Sequence, residues 1–152
     1  MQEGWLGNEY IVLFEEDEIS QKSVAYNVEQ LLPGHRILGL ISWDDFLVVD
    51  QATEQVYRVP TIPASLMNRK IWTADIKTDE FCHDQRYTGK VKWHVRPTAL
   101  GGNPESSKNL VWISHDEHPE LVKYWNEMHS SPHFKSDSSI EKNVDSEILT
   151  TN

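Results

Sequence analysis

Cysteine is almost absent from this chain. Its single cysteine, Cys82, has no partner within the 152 residues for a disulfide bond, which is typical of a protein from a reducing compartment. The first 18 residues contain neither the basic region nor the apolar run of a secretion signal. No stretch approaches the about 20 apolar residues that span a bilayer. We therefore expect a cytoplasmic protein that does not bind a membrane.

Basic residues are also scarce. Lys and Arg number 14 against 24 Asp and Glu, which gives a formal net charge of −10. The deficit lies in residues 1–57, where eleven acidic residues stand beside only Lys22 and Arg36. Such a surface repels phosphate groups over a screening length of about 10 Å, which argues against nucleic acid as a partner. A basic protein is the complementary partner.

Apolar residues make up only 38% of the chain, but six Trp, five Tyr and four Phe supply a large buriable surface. The length suits one domain. Short apolar runs rich in β-branched and aromatic residues predict strands at 10–14, 36–41, 46–50, 55–59, 70–73, 90–95 and 110–113. Short polar turns join the three runs between 36 and 59, which predicts an antiparallel meander.

Two helices are predicted between these strands and after them. Asp17 or Ser20 is a candidate cap for a helix that runs toward Gln30, and an acidic start at Asp116 opens a helix that ends near His129. We therefore expect a single α+β domain over residues 1–129. Its sheet is largely antiparallel and twisted, with about six strands and a few packing helices.

Residues 130–152 differ in composition from the rest of the chain. They are rich in Ser, Asn, Asp and Thr, with isolated apolar positions, which predicts a polar, disordered tail. Ile140, Val144 and Ile148 are spaced four residues apart, so the alternative is a short helix that docks on a partner.

Residues 4–63 carry a pattern of turn and strand residues. A Gly-Trp-x-Gly sequence opens it, a proline precedes a strand with an internal glycine, and an aspartate precedes a Val-x-x-Val-Pro hairpin strand. The matching residues are Gly4, Trp5, Gly7, Pro33, Gly39, Asp50, Val56, Val59 and Pro60. This pattern resembles the SUKH superfamily, which is named for the yeast cell-wall-assembly regulator and has many bacterial relatives. Residues 64–129 diverge from that pattern.

The resemblance implies a SUKH-like domain that binds proteins and has no enzyme activity. Bacterial members are immunity proteins that neutralise toxins, often nucleases, encoded beside them, and eukaryotic members are regulatory or scaffold modules. We therefore expect an immunity protein that binds a basic toxin domain, without a cofactor, as a monomer or weak homodimer. The alternative is a regulatory module whose tail after His129 carries the partner motif. A truncation at His129 separates the two interpretations.

Three of the matching residues have fold-forming roles by their stereochemistry. Gly39 lies inside a predicted strand, which indicates a bulge or a close approach of another backbone. Asp50 precedes a turn and can accept hydrogen bonds from nearby backbone N–H groups. Pro60 has no N–H group, so it ends the strand pairing where the chain leaves the sheet.

Two groups of acidic residues are the candidates for binding a basic partner. Together they would form one acidic edge that docks on a basic toxin face, occludes it and speeds its capture. The alternative for the first group is a plain helix start, where acidic residues suit the helix dipole. The groups are Glu15, Glu16, Asp17 and Glu18 after the first strand, and Asp44 and Asp45 in the turn after the 36–41 strand.

Aromatic residues near these acids are the candidates for apolar anchoring. Trp43 precedes Asp44 in the turn, and Tyr57 lies in an alternating strand. Trp and Tyr are enriched among the residues that dominate binding at interfaces. The alternative for Trp43 is burial beneath the sheet, because tryptophan is mostly buried in folded proteins.

His115 and His118 raise the question of a metal site. The His-x-x-His spacing lacks the glutamate of the metalloprotease motif, and the adjacent Cys82 and His83 have no fixed geometry for nucleophilic catalysis. We therefore expect no metal, and a small metalloenzyme that uses the two histidines is a further alternative. Lys92 and His94 alternate along a strand, which is typical of a solvated strand face.

Overall fold

The computed structural model describes residues 1–130, so the predicted tail lies outside the described residues from residue 131 onward. The strands are β1 (Gln2–Leu6), β2 (Glu9–Leu13), β3 (His35–Ile41), β4 (Asp45–Asp50), β5 (Val56–Pro60), β6 (Lys70–Ile71), β7 (Lys90–His94) and β8 (Leu110–Ser114). The helices are α1 (Glu16–Ala25), α2 (Val28–Leu31) and α3 (Glu117–Ser130). The predicted single α+β domain is confirmed. No described helix has the length and apolar character that crossing a bilayer requires.

The first six strands form one antiparallel sheet in the order in which they occur in the chain. The predicted meander between residues 36 and 59 is confirmed as β3, β4 and β5. Strands β7 and β8 pair with each other in a second, two-stranded sheet. Strand β1 was not predicted, because Gln2–Leu6 contains a glycine and two polar residues and gives no clear alternation.

One face of the large sheet carries the main core. Val12, Leu40, Phe46 and Val59 lie opposite one another across four adjacent strands and are completely buried. Residues of α1, α2 and α3 pack on this face, together with those of β7 and β8. Burial of one such side chain stabilises the fold by roughly 1.5–3 kcal/mol. The helices and the small sheet are therefore held in place by one common apolar layer.

The opposite face of the large sheet is covered by residues 72–82, which we call the strap; its regular structure is one short 3-10 helix, Thr78–Glu80. Trp72, Ile76 and Phe81 of the strap pack against a second buried cluster on β2, β3 and β4. The strap begins next to β6 at one edge of the sheet and ends beside β1 at the other edge. There the backbones of Trp5 and Cys82 exchange two hydrogen bonds of 2.9 and 2.8 Å.

Several residues of the SUKH-like pattern have clear structural roles. The predicted bulge is confirmed, because the pairing of β3 with β4 shifts register between Ile37 and Gly39. The predicted turn at Asp50 is confirmed, since its Oδ1 accepts the backbone N–H of Ala52 at 2.9 Å. Pro60 is the last residue of β5 and lies opposite Asp45. These positions shape strand ends and turns.

The other matching residues are also placed by backbone geometry. A Cβ atom at Gly4 would meet Phe81 Cβ at 2.9 Å, so glycine is required where the strap closes on β1. Gly7 has a φ of +65° in the turn between β1 and β2. Trp5 donates its indole N–H to Asp84 Oδ2 at 3.0 Å. Val56 and Val59 lie in β5 and face opposite sides of the sheet, and Pro33 lies in the turn before β3.

Candidate functional site

Trp43 is the centre of an aromatic cluster beneath the turn between β3 and β4. Its ring stacks on Tyr10 with centroids 4.7 Å apart, and the edges of Tyr87 and Trp112 approach it at 5.4 and 5.2 Å. Only 7% of Trp43 is exposed. The prediction of an exposed anchor at Trp43 is therefore wrong, and burial is confirmed. Trp112, which is 38% exposed, is the surface aromatic of this cluster.

Asp44 follows Trp43 and is held firmly by its backbone. Its carbonyl oxygen accepts hydrogen bonds from both the N–H and the side-chain hydroxyl of Thr61, each at 2.9 Å. Trp43 has a φ of +64°, which is unusual for a residue with a side chain and turns the chain sharply before Asp44. The backbone of Asp44 is therefore held in place by the turn and by Thr61, the residue after β5.

A cleft of about 190 Å³ opens beside Asp44, between the end of the large sheet and the end of β7. Two mostly buried tryptophans, Trp43 and Trp93, lie in its wall. Polar side chains complete the lining at Asp44, His94 and Thr98. Trp93 and Thr98 were not predicted as site residues, because only the fold brings β7 and the loop after it against the turn that holds Asp44.

The carboxyl group of Asp44 has an unusual electrostatic environment. Asp44 lines the cleft and is exposed to solvent at its surface, yet partial burial of its carboxyl group raises the pKa of Asp44 above its ordinary value. The positive charges of His94 and Lys92 act in the opposite direction but do not outweigh burial. Among residues 1–130, Asp44 has no ion pair and no side-chain hydrogen bond. This carboxyl group is available to a ligand.

Asp45, the neighbour of Asp44, is used within the molecule. Arg58 on β5 donates from Nε to Asp45 Oδ2 and from Nη1 to Glu9 Oε2. The hydrogen bond from Arg58 is the main cause that lowers the pKa of Glu9. Arg58 lies just outside the acidic first 57 residues, so sequence position did not indicate that it pairs with two of their carboxylates. Asp45 lines the cleft, but its carboxylate is already paired with Arg58.

The acidic residues at the start of α1 have mainly local partners. Glu15 N–H donates to Glu18 Oε1 at 2.7 Å, and Glu16 pairs with Arg36 at 3.3 Å. The amino group of Met1 lies 2.9 Å from Glu18 Oε1 and lowers the pKa of that carboxyl group. Helix α1 begins at Glu16 with Glu15 as its cap, two residues before Asp17, the first of the two predicted caps. The helix-start interpretation therefore accounts for Glu15, Glu16 and Glu18.

The predicted single acidic edge is not formed. Asp45 lies opposite Ile41, and Ile41 lies opposite Ile11, which is four residues before Glu15. At about 3.4 Å per residue along a strand, the two acidic groups are separated by roughly 14 Å along the direction of β2. Glu16, moreover, pairs with Arg36 near the far end of β3. The two groups lie toward opposite ends of the strands.

Tyr57, the other predicted anchor, does not line the cleft. It is half-buried on β5, with the guanidinium carbon of Arg69 4.1 Å from its ring centroid. Arg69 in turn pairs with Asp50 at 3.4 Å. A cation of the molecule itself therefore already covers the ring that was predicted to anchor a partner.

His115 and His118 lie in the core at the start of α3. His118 is completely buried, and its Nδ1 lies 2.6 Å from the hydroxyl oxygen of Tyr26. Burial lowers the pKa of His118 to about 3 and also lowers that of His115. Within residues 1–130, no group of three or more His, Cys, Asp or Glu side chains is arranged to hold a metal ion. Cys82 is exposed in the strap.

Comparison of the chain with protein-family models, curated proteins and solved structures finds no match. Of the residues predicted to bind a partner, the structure brings Trp43, Asp44 and Asp45 together at the cleft. It places Tyr57 and the acidic start of α1 elsewhere.

Proposed function

We propose that this chain is a non-catalytic, protein-binding domain of the cytoplasm that binds a basic partner protein at the Asp44 cleft. The observation that carries the proposal is an aspartate without an ion pair, Asp44, in the lining of a cleft with two tryptophans in its wall. A cleft lined by two tryptophans has the aromatic composition that is enriched in binding hot spots.

The pattern in residues 4–63 suggests the class of partner. Since it resembles the SUKH superfamily, we propose that the partner is a toxin domain and that this chain is its immunity protein, acting as a monomer or weak homodimer. The net charge of −10 favours rapid association with a basic toxin domain. Binding at the cleft would cover the basic face that the toxin uses on its own substrate, so neutralisation occurs by occlusion.

The test compares two single charge-reversal variants, one in each acidic group: Asp44→Lys at the cleft and Glu16→Lys in α1. If the neighbouring reading frame encodes a large protein with a basic C-terminal domain, that domain is the partner to use. We expect Asp44→Lys to raise the dissociation constant about 100-fold and to abolish the protection of cells, because the new lysine would face positive charges of the partner. Glu16→Lys, on the exposed surface of α1, should change affinity by less than about threefold.

Calorimetric titration and a growth assay with the toxin domain measure these effects. Equal losses for both variants would contradict the assignment of the cleft, as would an unchanged affinity of Asp44→Lys. Removal of residues 131–152 should leave binding intact. Loss of binding on that truncation would instead favour the regulatory module whose motif lies in the tail.

A further inference from the structure

We infer that the cleft accepts one arginine side chain of the partner, with its guanidinium group on the carboxylate of Asp44. This inference rests on the proposed function and specifies which chemical group of the partner enters the site. It follows from the size of the cleft, the availability of the carboxylate and the nature of the walls.

The size of the cleft limits what can enter it. Its volume of about 190 Å³ is below the about 300–1,000 Å³ of sites that enclose drug-sized ligands. A helix or a strand of a partner is too large for a cleft of this volume, whereas one long side chain fits. The occupant is therefore a single side chain that projects from the partner surface.

The charges select a cation. Two acidic residues line the cleft, Asp44 and Asp45. Asp45 is paired with Arg58, whereas Asp44 has no ion pair among the described residues. Lys92 and His94 influence Asp44 through space, but neither lies within ion-pair distance of its carboxylate. The carboxylate is therefore open to a cation from outside. Thr61 holds the backbone of Asp44 in place, so binding requires little ordering of this residue.

The walls favour arginine over lysine. Trp43 and Trp93 line the cleft, and a planar guanidinium group packs on aromatic surface with less loss of hydration than an ammonium group. Guanidinium also matches a carboxylate with two parallel N–H donors, whereas an ammonium acts as a point charge. Arginine thus satisfies both the acidic mouth and the aromatic wall of the cleft.

The probe is N-acetyl-arginine methylamide, titrated into the full chain and followed by the indole N–H signals in NMR spectra. We expect saturable shifts at Trp43 and Trp93 with a millimolar dissociation constant, and at least tenfold weaker binding of the neutral citrulline analogue. Asp44→Asn should reduce affinity for the arginine probe at least tenfold. The matched control, Asp17→Asn on the exposed surface of α1, should leave it unchanged.

Three outcomes would overturn the inference: no saturable shift, equal binding of the citrulline analogue, or binding of the corresponding lysine probe as tight as that of arginine. These outcomes are independent of the proposed function. If Asp44→Lys still abolishes toxin binding while the arginine probe fails, the surface binds a partner in another manner. If the probe binds but the toxin domain does not, the partner class is wrong and the arginine site remains.

Discussion

At the scale of single residues, Gly39 marks a close approach of two backbones in the large sheet. A Cβ atom at this position would lie 2.0 Å from the carbonyl oxygen of Val12, far inside contact distance. Neither atom of that clash belongs to a flexible side chain, so only a shift of β2 against β3 could relieve it. The glycine therefore determines how closely these two strands pack.

We predict that Gly39→Ala destabilises the fold by about 3 kcal/mol or more, because the extra methyl group forces the two strands apart. The matched control is Gly34→Ala, where the Cβ has open space and only the φ of +81° is unfavourable, at a cost of about 1–2 kcal/mol. Urea unfolding of both variants measures the difference. A smaller effect at Gly39 than at Gly34 would show that the strands separate easily.

At the same scale, the sequence identified the turn of Trp43, Asp44 and Asp45 but not the partners of its residues. Local composition indicated a charged turn, and the turn does border the cleft. Arg58 on β5 pairs with Asp45 on the adjacent strand β4, and Trp93 lines the cleft from the second sheet. Pairings of this kind depend on register and on sheet packing, which short sequence patterns do not specify.

At the scale of elements, α3 is attached to the core through buried polar groups. Asn126 donates to the carbonyl oxygen of Thr61 at 2.8 Å and accepts the N–H of Ala64 at 2.9 Å, which joins the helix to the chain after β5. His118 contributes the contact with Tyr26 at the end of α1. The apolar pattern predicted the helix, whereas these buried polar contacts could not be predicted, because their partners are distant in sequence.

Buried neutral histidines make the stability of the fold dependent on pH. His118 has an ordinary pKa of 6.5, which burial lowers to about 3 in the folded chain, so the unfolded chain binds more protons between these values. Stability is therefore complete above about pH 6.5 and decreases as the pH falls toward 3. Lys22 and His115 lie near enough to oppose protonation further.

We predict that His118→Gln, whose amide can either donate or accept in a hydrogen bond with Tyr26, reduces the slope of unfolding free energy against pH between 6.5 and 4. The expected reduction is up to about 1.4 kcal/mol per pH unit, which corresponds to one proton. Urea unfolding at a series of pH values gives this slope. Above pH 7.5 the two curves should run parallel, and parallel curves at acidic pH would contradict the assignment.

At the scale of the whole molecule, the large sheet lies between two unlike layers. Helices and the small sheet cover one face, and the strap covers the other. The sequence predicted the strands other than β1, and the first layer, because both carry periodic apolar patterns. It did not predict the strap, since Trp72, Ile76 and Phe81 are irregularly spaced in a polar segment.

We predict that Phe81→Ala destabilises the fold by about 2 kcal/mol, because it removes a ring that packs on the second buried cluster. The neighbouring change Cys82→Ser is the control. The side chain of Cys82 is exposed and only its backbone pairs with Trp5, so the expected effect is below about 0.5 kcal/mol. Thermal unfolding compares the two variants, and similar losses would mean that the strap contributes only through its backbone.

The backbone pair between Trp5 and Cys82 also orders events during synthesis of the chain. The two residues are 77 positions apart, and the ribosome adds roughly 5–20 residues per second. The outer edge of β1 therefore stays unpaired for roughly 4–15 s after its synthesis. Each strand of the meander, by contrast, can pair with the preceding strand soon after it leaves the ribosome. During that interval an unpaired strand edge is accessible to other nascent chains, and addition of the strap ends it.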